Sequence, residues 1–354
     1  MFTHASTRAD ADALAALRAD VARLATSTDR DGPWHSGAFA TLAEHGLLAG
    51  FIATEDGGTG ATEPALLEAL TAVASACLTT ALALTQWASA CRLIATGSTD
   101  LRGSLLPRLA RGEITATVGI AQLTTSRRHV GIPALRALQR GTSWWLEGTC
   151  PWVTGADSSD MIVSGAVSDD GTPRFFVIPT SAAGMTIGAP MSMLALSGSR
   201  TSSVAFDGVE PLAEIVPSAP SPSRAGGLAT SALAIGASQA SIAMLDHEAA
   251  ARAALGQVAT HFRHEADDLA ARLGRLAAEE NPDPAARDAL RTAANSLVVR
   301  AAQAALTATK GAGFIAGHPA ERGVRESMLF LVWSCPQQVA SALICELAHL
   351  DASA

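Results

Sequence analysis

The chain has 354 residues, 48% of them hydrophobic and only 16% charged, with a formal net charge of −8. An acidic balance without a Lys/Arg stripe argues against a nucleic-acid surface, and no segment reads as the roughly 18 uncharged apolar residues that a membrane-spanning helix needs. The 5 cysteines (Cys77, Cys91, Cys150, Cys335 and Cys345) form no C-x-x-C pair, so neither a disulfide framework nor a metal site is expected, and a reducing, cytoplasmic setting is the plain expectation. So apolar a chain is expected to bury a subunit interface as well as a core.

Residues 1–113 are rich in Ala and Leu at helical spacing. The N-terminus alternates charge with Ala and Leu and lacks the apolar run of a signal peptide. "ATEPALLEALTAVASACLTTALALTQWASACRLIATG" (61–97) carries two helices' worth of apolar positions three and four residues apart. "STDLRGSLLPRLARGE" (98–113) opens on a cluster of capping residues and predicts a further helix. From 114 to 217 the texture changes to short β-branched and aromatic runs, among them "ITATVGIAQL", "SWWLEGTCPWV", "MIVSGAV", "RFFVIP" and "SSVAFDGV". Turn residues separate them, which predicts a small barrel or sandwich. "PSAPSPSRAGG" (217–227) has the composition of a linker. Beyond it the chain is helical again, with helices predicted near 228–254, 257–280, 284–309, 320–332 and 337–350. "NPDP" (281–284) marks a break between two of them. The expected fold is therefore α+β and mostly α: an N-terminal helical domain (1–113), a central β domain (114–217) and a C-terminal four-helix-type bundle (218–354).

Few motifs carry chemistry by themselves. "KGAGFIAG" (310–317) has the wrong spacing and follows a helix, so it is not a dinucleotide-binding loop. Its backbone N–H groups at Gly311 and Gly313 could still approach a phosphate. "HFRHE" sets His261 and His264 three apart with Glu265 outside them, a pattern that fits a solvated helix face better than a zinc site. In "GTCPWVTGAD" (148–157), Trp152 and Thr154 alternate and so share one side of a strand. Two readings stay open there: an aromatic packed in the core, or a wall with one hydroxyl suited to a flat heteroaromatic ligand.

Taken in order, these segments resemble the acyl-CoA dehydrogenase superfamily of FAD flavoproteins over nearly the whole chain. "AEHGLLAGFIATEDGGTG" (43–60) is similar to the family's N-terminal Gly-rich segment, and "LLPRLARGEITATVGIAQL" to its entry into the β domain. "GTCPWVTGAD" stands where the family has its G-x-K-x-W-[IV]-T flavin strand. "RAALG" (252–256) resembles R-x-x-F-G, and "GAGFIAGHPAERGVRE" (311–326) resembles G-x-G-[FY]…P-x-E-R-x-x-R-D with Glu326 for Asp. The resemblance implies FAD as cofactor. Trp152 and Thr154 would lie against the isoalloxazine, with the Thr hydroxyl near N5. The main chain of Gln122 would run along the pyrimidine edge. Arg252, with Gly311 and Gly313, would serve the pyrophosphate of a neighbouring subunit, which implies a homo-oligomer, a dimer or tetramer.

The departures from that pattern concern the chemistry. The family's proton-abstracting Glu aligns with Ser334 in "WSCPQQ", and the alternative position near Gly226 also lacks a carboxylate. An unassisted serine hydroxyl is far too weak a base at neutral pH, although the backbone N–H of Ser334 could polarise a thioester carbonyl. Pro336 is expected in the first turn of the following helix, capped by Cys335 or Ser334. The family's T-E-P-G-x-G-S-D run aligns with "QLTTSRRHV", where Arg127, Arg128 and His129 are either a solvated loop or, with Arg128 central, an anion site for substrate. Thr307 and Lys310 replace the family's Gln and first Gly at the phosphate turn. The sequence thus implies an FAD-dependent oxidoreductase acting on the CH–CH group of an acyl thioester, on CoA or a carrier protein, with a non-standard or absent base. A flavin monooxygenase of the same fold and a base-less partner subunit of a heteromeric dehydrogenase are the alternatives.

Overall fold

A computed structural model describes residues 8–25, 36–124, 133–216, 227–333, 336–348 and 350. The chain opens with helices α1 (Arg8–Ala25), α2 (Ser36–Glu44), α3 (Leu47–Gly50), α4 (Glu63–Ala76), α5 (Leu78–Ala95) and α6 (Thr99–Ala110). The pair read from 61–97 is α4 and α5. The capping cluster before α6 works as expected, because the N–H of Leu101 donates to Ser98 Oγ at 3.3 Å.

Eight strands follow: β1 (Ala116–Gly119), β2 (Leu135–Arg140), β3 (Ser143–Val153), β4 (Met161–Ser168), β5 (Pro173–Pro179), β6 (Met185–Ile187), β7 (Ser202–Val209) and β8 (Ala213–Ile215), with the short helix α7 (Ala121–Thr124) after β1. The expected barrel or sandwich is realised as one 8-stranded sheet ordered β6-β7-β3-β2-β4-β5-β8, with β1 parallel to β4. Inward side chains of β2, β3, β4, β5 and β7, including Leu135, Leu146, Ile162, Phe176 and Phe206, converge on a core of the sheet's own. Strand β2 had no sequence signal: "LRALQR" buries Leu135 and Ala137 between exposed or half-exposed polar residues, too short a pattern to stand out. Arg140 pairs with Ser143 across the turn at Gly141, whose φ of 62° suits a tight hairpin.

The C-terminal helices are α8 (Leu228–Ala251), α9 (Gly256–Ala278), α10 (Pro284–Gly313), α11 (Pro319–Ser327) and α12 (Gln337–Leu347), with 3-10 turns at Ala253–Leu255 and Met328–Leu331. At the "NPDP" break Asp283 caps α10, accepting from the N–H of Ala285 at 3.2 Å, and Pro284 takes the first helical position. Pro336 is the cap residue of α12 rather than its first helical residue, because its extended ψ of 150° places it just outside the helix. On α9 the buried residues Ala259, Phe262, Ala266, Leu269 and Leu273 make one stripe, leaving His261 and His264 on the exposed face.

Helix α8 is apolar nearly all round and packs against α4, α9 and α10. It is long and apolar enough by composition to cross a membrane, which corrects the expectation that no segment comes near that length. Most of that window (67%) is buried inside the protein, as befits a core helix. One continuous apolar core runs from Leu17 on α1 through α4, α5 and α8 to Phe330, so both helical zones share it. The closest approach is at Gly236, where a Cβ would fall 2.3 Å from the Thr71 carbonyl oxygen and 2.7 Å from Ala74 Cβ. Gly236→Ala must therefore push α8 off α4, and we expect it to lower unfolding stability by about 1–3 kcal/mol. Denaturant unfolding measures this, and an unchanged midpoint would contradict the contact.

Candidate functional site

The sequence-derived site residues form two groups on different elements. The first lies where β1, α7 and the end of β3 meet. Gln122, on α7, uses its side chain internally. Its Nε2 donates to the Gly119 and Gly165 carbonyls at 3.1 and 2.5 Å, and its Oε1 accepts from the Cys150 thiol at 3.0 Å. That fixes α7 against the sheet and leaves the Gln122 side chain committed within the protein. Cys150 is structural, since burial pushes its thiol up to about 12.

Strand β3 pairs with β7 through Cys150↔Val204 and then Val153↔Ser202, so one extra residue is accommodated between them. This bulge falls at Pro151 and Trp152 and turns the indole outward, leaving Trp152 51% exposed while its neighbours Cys150 and Val153 are fully buried. An indole so exposed is not part of the sheet's core, which removes the packed-aromatic reading. The strand ends at Val153, one residue short of Thr154, so regular alternation does not reach the threonine. Thr154 is held by tertiary contacts instead. Its carbonyl accepts from Thr117 Oγ1 at 2.7 Å, and its Oγ1 lies 3.1 Å from Thr201 Oγ1. A shallow depression lined by Thr117, Thr154, Gly155 and Ser158 opens beside it.

The second group lies at the C-terminal ends of α8 and α10. Arg252 ends α8, and its guanidinium donates to the Glu248 carboxylate and to the Ala308 carbonyl, which ties it to the turn containing Gly311 and Gly313. At Gly313 the fold itself excludes a side chain, because a Cβ would sit 1.9 Å from Thr309 Oγ1. At Gly311 nothing lies within 4 Å of a Cβ, so the chain alone places no demand for glycine there. Phe314 and Ile315, just beyond, are 79% and 66% exposed.

Arg128 and Ser334, with Arg127, His129 and Cys335, lie outside the described residues. What flanks Ser334 is nevertheless defined. Asn295 Nδ2 donates to the Phe330 carbonyl at 2.8 Å, and Arg291 Nη2 donates to the Trp333 carbonyl at 3.1 Å. Both residues are almost wholly buried on α10 and stand one turn apart. They satisfy carbonyls at the end of the 3-10 turn at Met328–Leu331 and so fix the chain as far as Trp333. Sequence reading passed over both, since an Arg and an Asn in an Ala-rich helix look like its solvent face. Ser199 and Arg200, behind Thr154, were likewise read only as turn residues, and Thr201 was not singled out.

An FAD can be tested against these groups. An outward aromatic face with a hydroxyl beside it suits a flat ring system, and a cation next to a glycine open to approach suits a pyrophosphate. Glu248 runs against this, because it already occupies Arg252; a phosphate must share or displace that pair. The residues fit the group, with that one competing contact.

Lys310 is the strained member of the phosphate turn. Its φ of 55° and ψ of −145° interrupt α10 in a region that residues with side chains avoid, at a cost of about 1–3 kcal/mol. Lys310→Gly relieves that strain but also frees the unfolded chain, so we expect a net gain near 1 kcal/mol, roughly the difference of the two effects. Equilibrium unfolding would show it, and a loss of stability would contradict the strained geometry.

Residues 4–113 match the family model described as acyl-CoA dehydrogenase, N-terminal domain. A curated relative from Bacillus subtilis (strain 168), named Probable acyl-CoA dehydrogenase YngJ, is 24% identical over 341 residues, covering 88% of this chain and 89% of that protein. Among solved structures, a glutaryl-coenzyme A dehydrogenase in its glutaryl-CoA complex superposes with a TM-score of 0.84 at 17% identity, covering 99% of this chain and 97% of the other. KijD3 in complex with FMN and dTDP-3-amino-2,3,6-trideoxy-4-keto-3-methyl-D-glucose does so with a TM-score of 0.76 at 21% identity, covering 98% and 95%. Domain model, curated relative and solved folds all point to the acyl-CoA dehydrogenase superfamily.

Proposed function

We propose that the chain is an FAD-dependent oxidoreductase acting on the CH–CH group of an acyl thioester, carried by CoA or by a carrier protein, without the usual carboxylate base. The observation that carries this reading is an exposed Trp152 two residues before the Thr154 hydroxyl at the end of β3. Bound FAD would supply the hydride acceptor. The chain's own part is to hold and orient. Trp152 covers one face of the ring and keeps water from it, while Thr154 offers a hydroxyl to the ring's reactive edge. The Ser334 N–H would polarise the thioester carbonyl. Arg128, with Arg127 and His129, would take the anionic end of the substrate.

The phosphate group belongs to a second copy of the chain in this reading. Arg252, Gly311 and Gly313 sit on other elements than Trp152, and the apolar Phe314 and Ile315 beside them suit cover by a neighbour. The division at 1–113, 114–217 and 218–354 then has a purpose: helical zones make the assembly, and the sheet presents the ring.

A second reading has specific support. Ser334 stands where the resemblance puts a Glu, and a fold similar to this one binds FMN and a nucleotide sugar, which is no thioester. A monooxygenase needs no base for an α-proton, so that substitution suits it.

Anaerobic addition of a panel of acyl-CoAs to the flavin-loaded protein separates the readings. Bleaching of the flavin absorbance is the expected result. Oxygen uptake with an added flavin reductase and no bleaching would favour the monooxygenase, and flavin uptake only beside a second gene product would favour a partner subunit. Introducing the base is the complementary experiment. Ser334→Glu should raise the rate of acyl-CoA-dependent flavin reduction by about 10²–10⁴-fold, the usual contribution of a positioned general base. No gain across the panel would count against a dehydrogenase pocket at this position.

A further inference from the structure

Behind Thr154 runs a row of hydroxyls that nothing above employs. Thr154 Oγ1 lies 3.1 Å from Thr201 Oγ1, which in turn lies 2.9 Å from Ser199 Oγ. Thr201 is 5% exposed and Ser199 fully buried, so the row leads from the sheet edge into the interior. The pairing of β3 with β7 explains the first contact: Val153 faces Ser202, and the next residue on one strand therefore meets the previous one on the other.

The segment that carries Ser199 and Thr201 is built at some expense. Its 3-10 turn, Ser197–Ser199, is bracketed by Leu196 at φ 62° and Arg200 at φ 50°, both left-handed and neither a glycine. Such conformations persist only where the surroundings over-determine them, and they concentrate where geometry matters to function. Here the surroundings are the residues just after Thr154. The Gly155 N–H donates to the Ser199 carbonyl at 2.9 Å, and Arg200 Nε donates to Asp157 Oδ2 at 2.7 Å. Thr154, Gly155 and Asp157 are thus each clasped to a residue of the strained turn. That is more fixing than a surface turn needs, and it brackets one half-buried hydroxyl, that of Thr154.

We propose that Thr201 and Ser199 are positioning residues that set the Thr154 hydroxyl as a donor toward a flavin. This rests on the reading that places the ring against Trp152 and Thr154. Each hydroxyl donates once and accepts. With an unprotonated ring nitrogen outside, Ser199 donates to Thr201, Thr201 to Thr154, and Thr154 outward, so every proton in the row has an acceptor. With a protonated ring nitrogen outside, the row would have to reverse and end on the proton of Ser199, whose hydroxyl is fully buried and has only Thr201 as partner among the described residues. The row therefore favours the unprotonated, oxidised ring.

The test is redox titration of the flavin-loaded variants, with flavin content and thermal unfolding recorded alongside. Thr201→Val keeps the shape and removes the partner. It should favour the reduced form about tenfold at a given potential, which is a rise of about 30 mV for a two-electron couple. Thr201→Ser should restore the native value, and Ser199→Ala should move it in the same direction as Thr201→Val. An unshifted potential in flavin-loaded Thr201→Val, or a failure of Thr201→Ser to restore it, overturns the proposal. Should Thr201→Val not fold, Ser199→Ala against Thr201→Ser carries the same comparison. Thr154→Val tells the two levels apart. If it shifts the potential and Thr201→Val does not, the relay alone is wrong. If neither shifts it, or the chain takes up no flavin, the placement of the ring falls with it.

Discussion

The contact between α4 and α8 at Gly236 sets the frame for everything else. Helix α8 follows the sheet in the chain, yet its backbone presses against a helix that precedes the sheet. Closing that loop buries one apolar core common to both helical zones and leaves the sheet with a separate one. The sheet is thereby anchored at both ends of its segment to a single helical body. Such a closure is costly in chain entropy and needs a large apolar return, which the nearly all-round burial of α8 provides.

Within that frame the site is made by interruptions of regular structure. The bulge at Pro151–Trp152 turns an indole outward that unbroken alternation would have treated by parity alone. The kink at Lys310 ends the regular course of α10 just before Gly311 and Gly313. The left-handed residues Leu196 and Arg200 shape the turn behind Thr154. Each departs from the local preference of its residues, and the bulge and the turn are held by long-range contacts, the pattern expected where geometry serves something other than stability.

How much of this could be read from the sequence follows the same division. Helices α4, α5, α6, α8, α9 and α10 announced themselves because their apolar spacing and caps are local signals. Strand β2 did not, since Leu135 and Ala137 are its whole buried face. Trp152 and Thr154 were identifiable as a pair, but the reason they are held as they are lies in Thr117 and Thr201, tens of residues away in sequence. Arg291 and Asn295 were illegible for a related reason. Their burial depends on the 3-10 turn at Met328–Leu331 folding back over α10, and no local pattern encodes that.

Those two residues have a mechanical consequence. Because Arg291 and Asn295 stand one turn apart on the same face of α10 and grip successive points of the following segment, they act as teeth on a rack. A slide or rotation of α10 against the bundle would carry Trp333 with it. The course of the chain from Phe330 to Trp333 is therefore geared to the packing of a helix whose other side faces α8 and α9. Repacking deep in the bundle becomes a way to move that segment by fractions of an ångström.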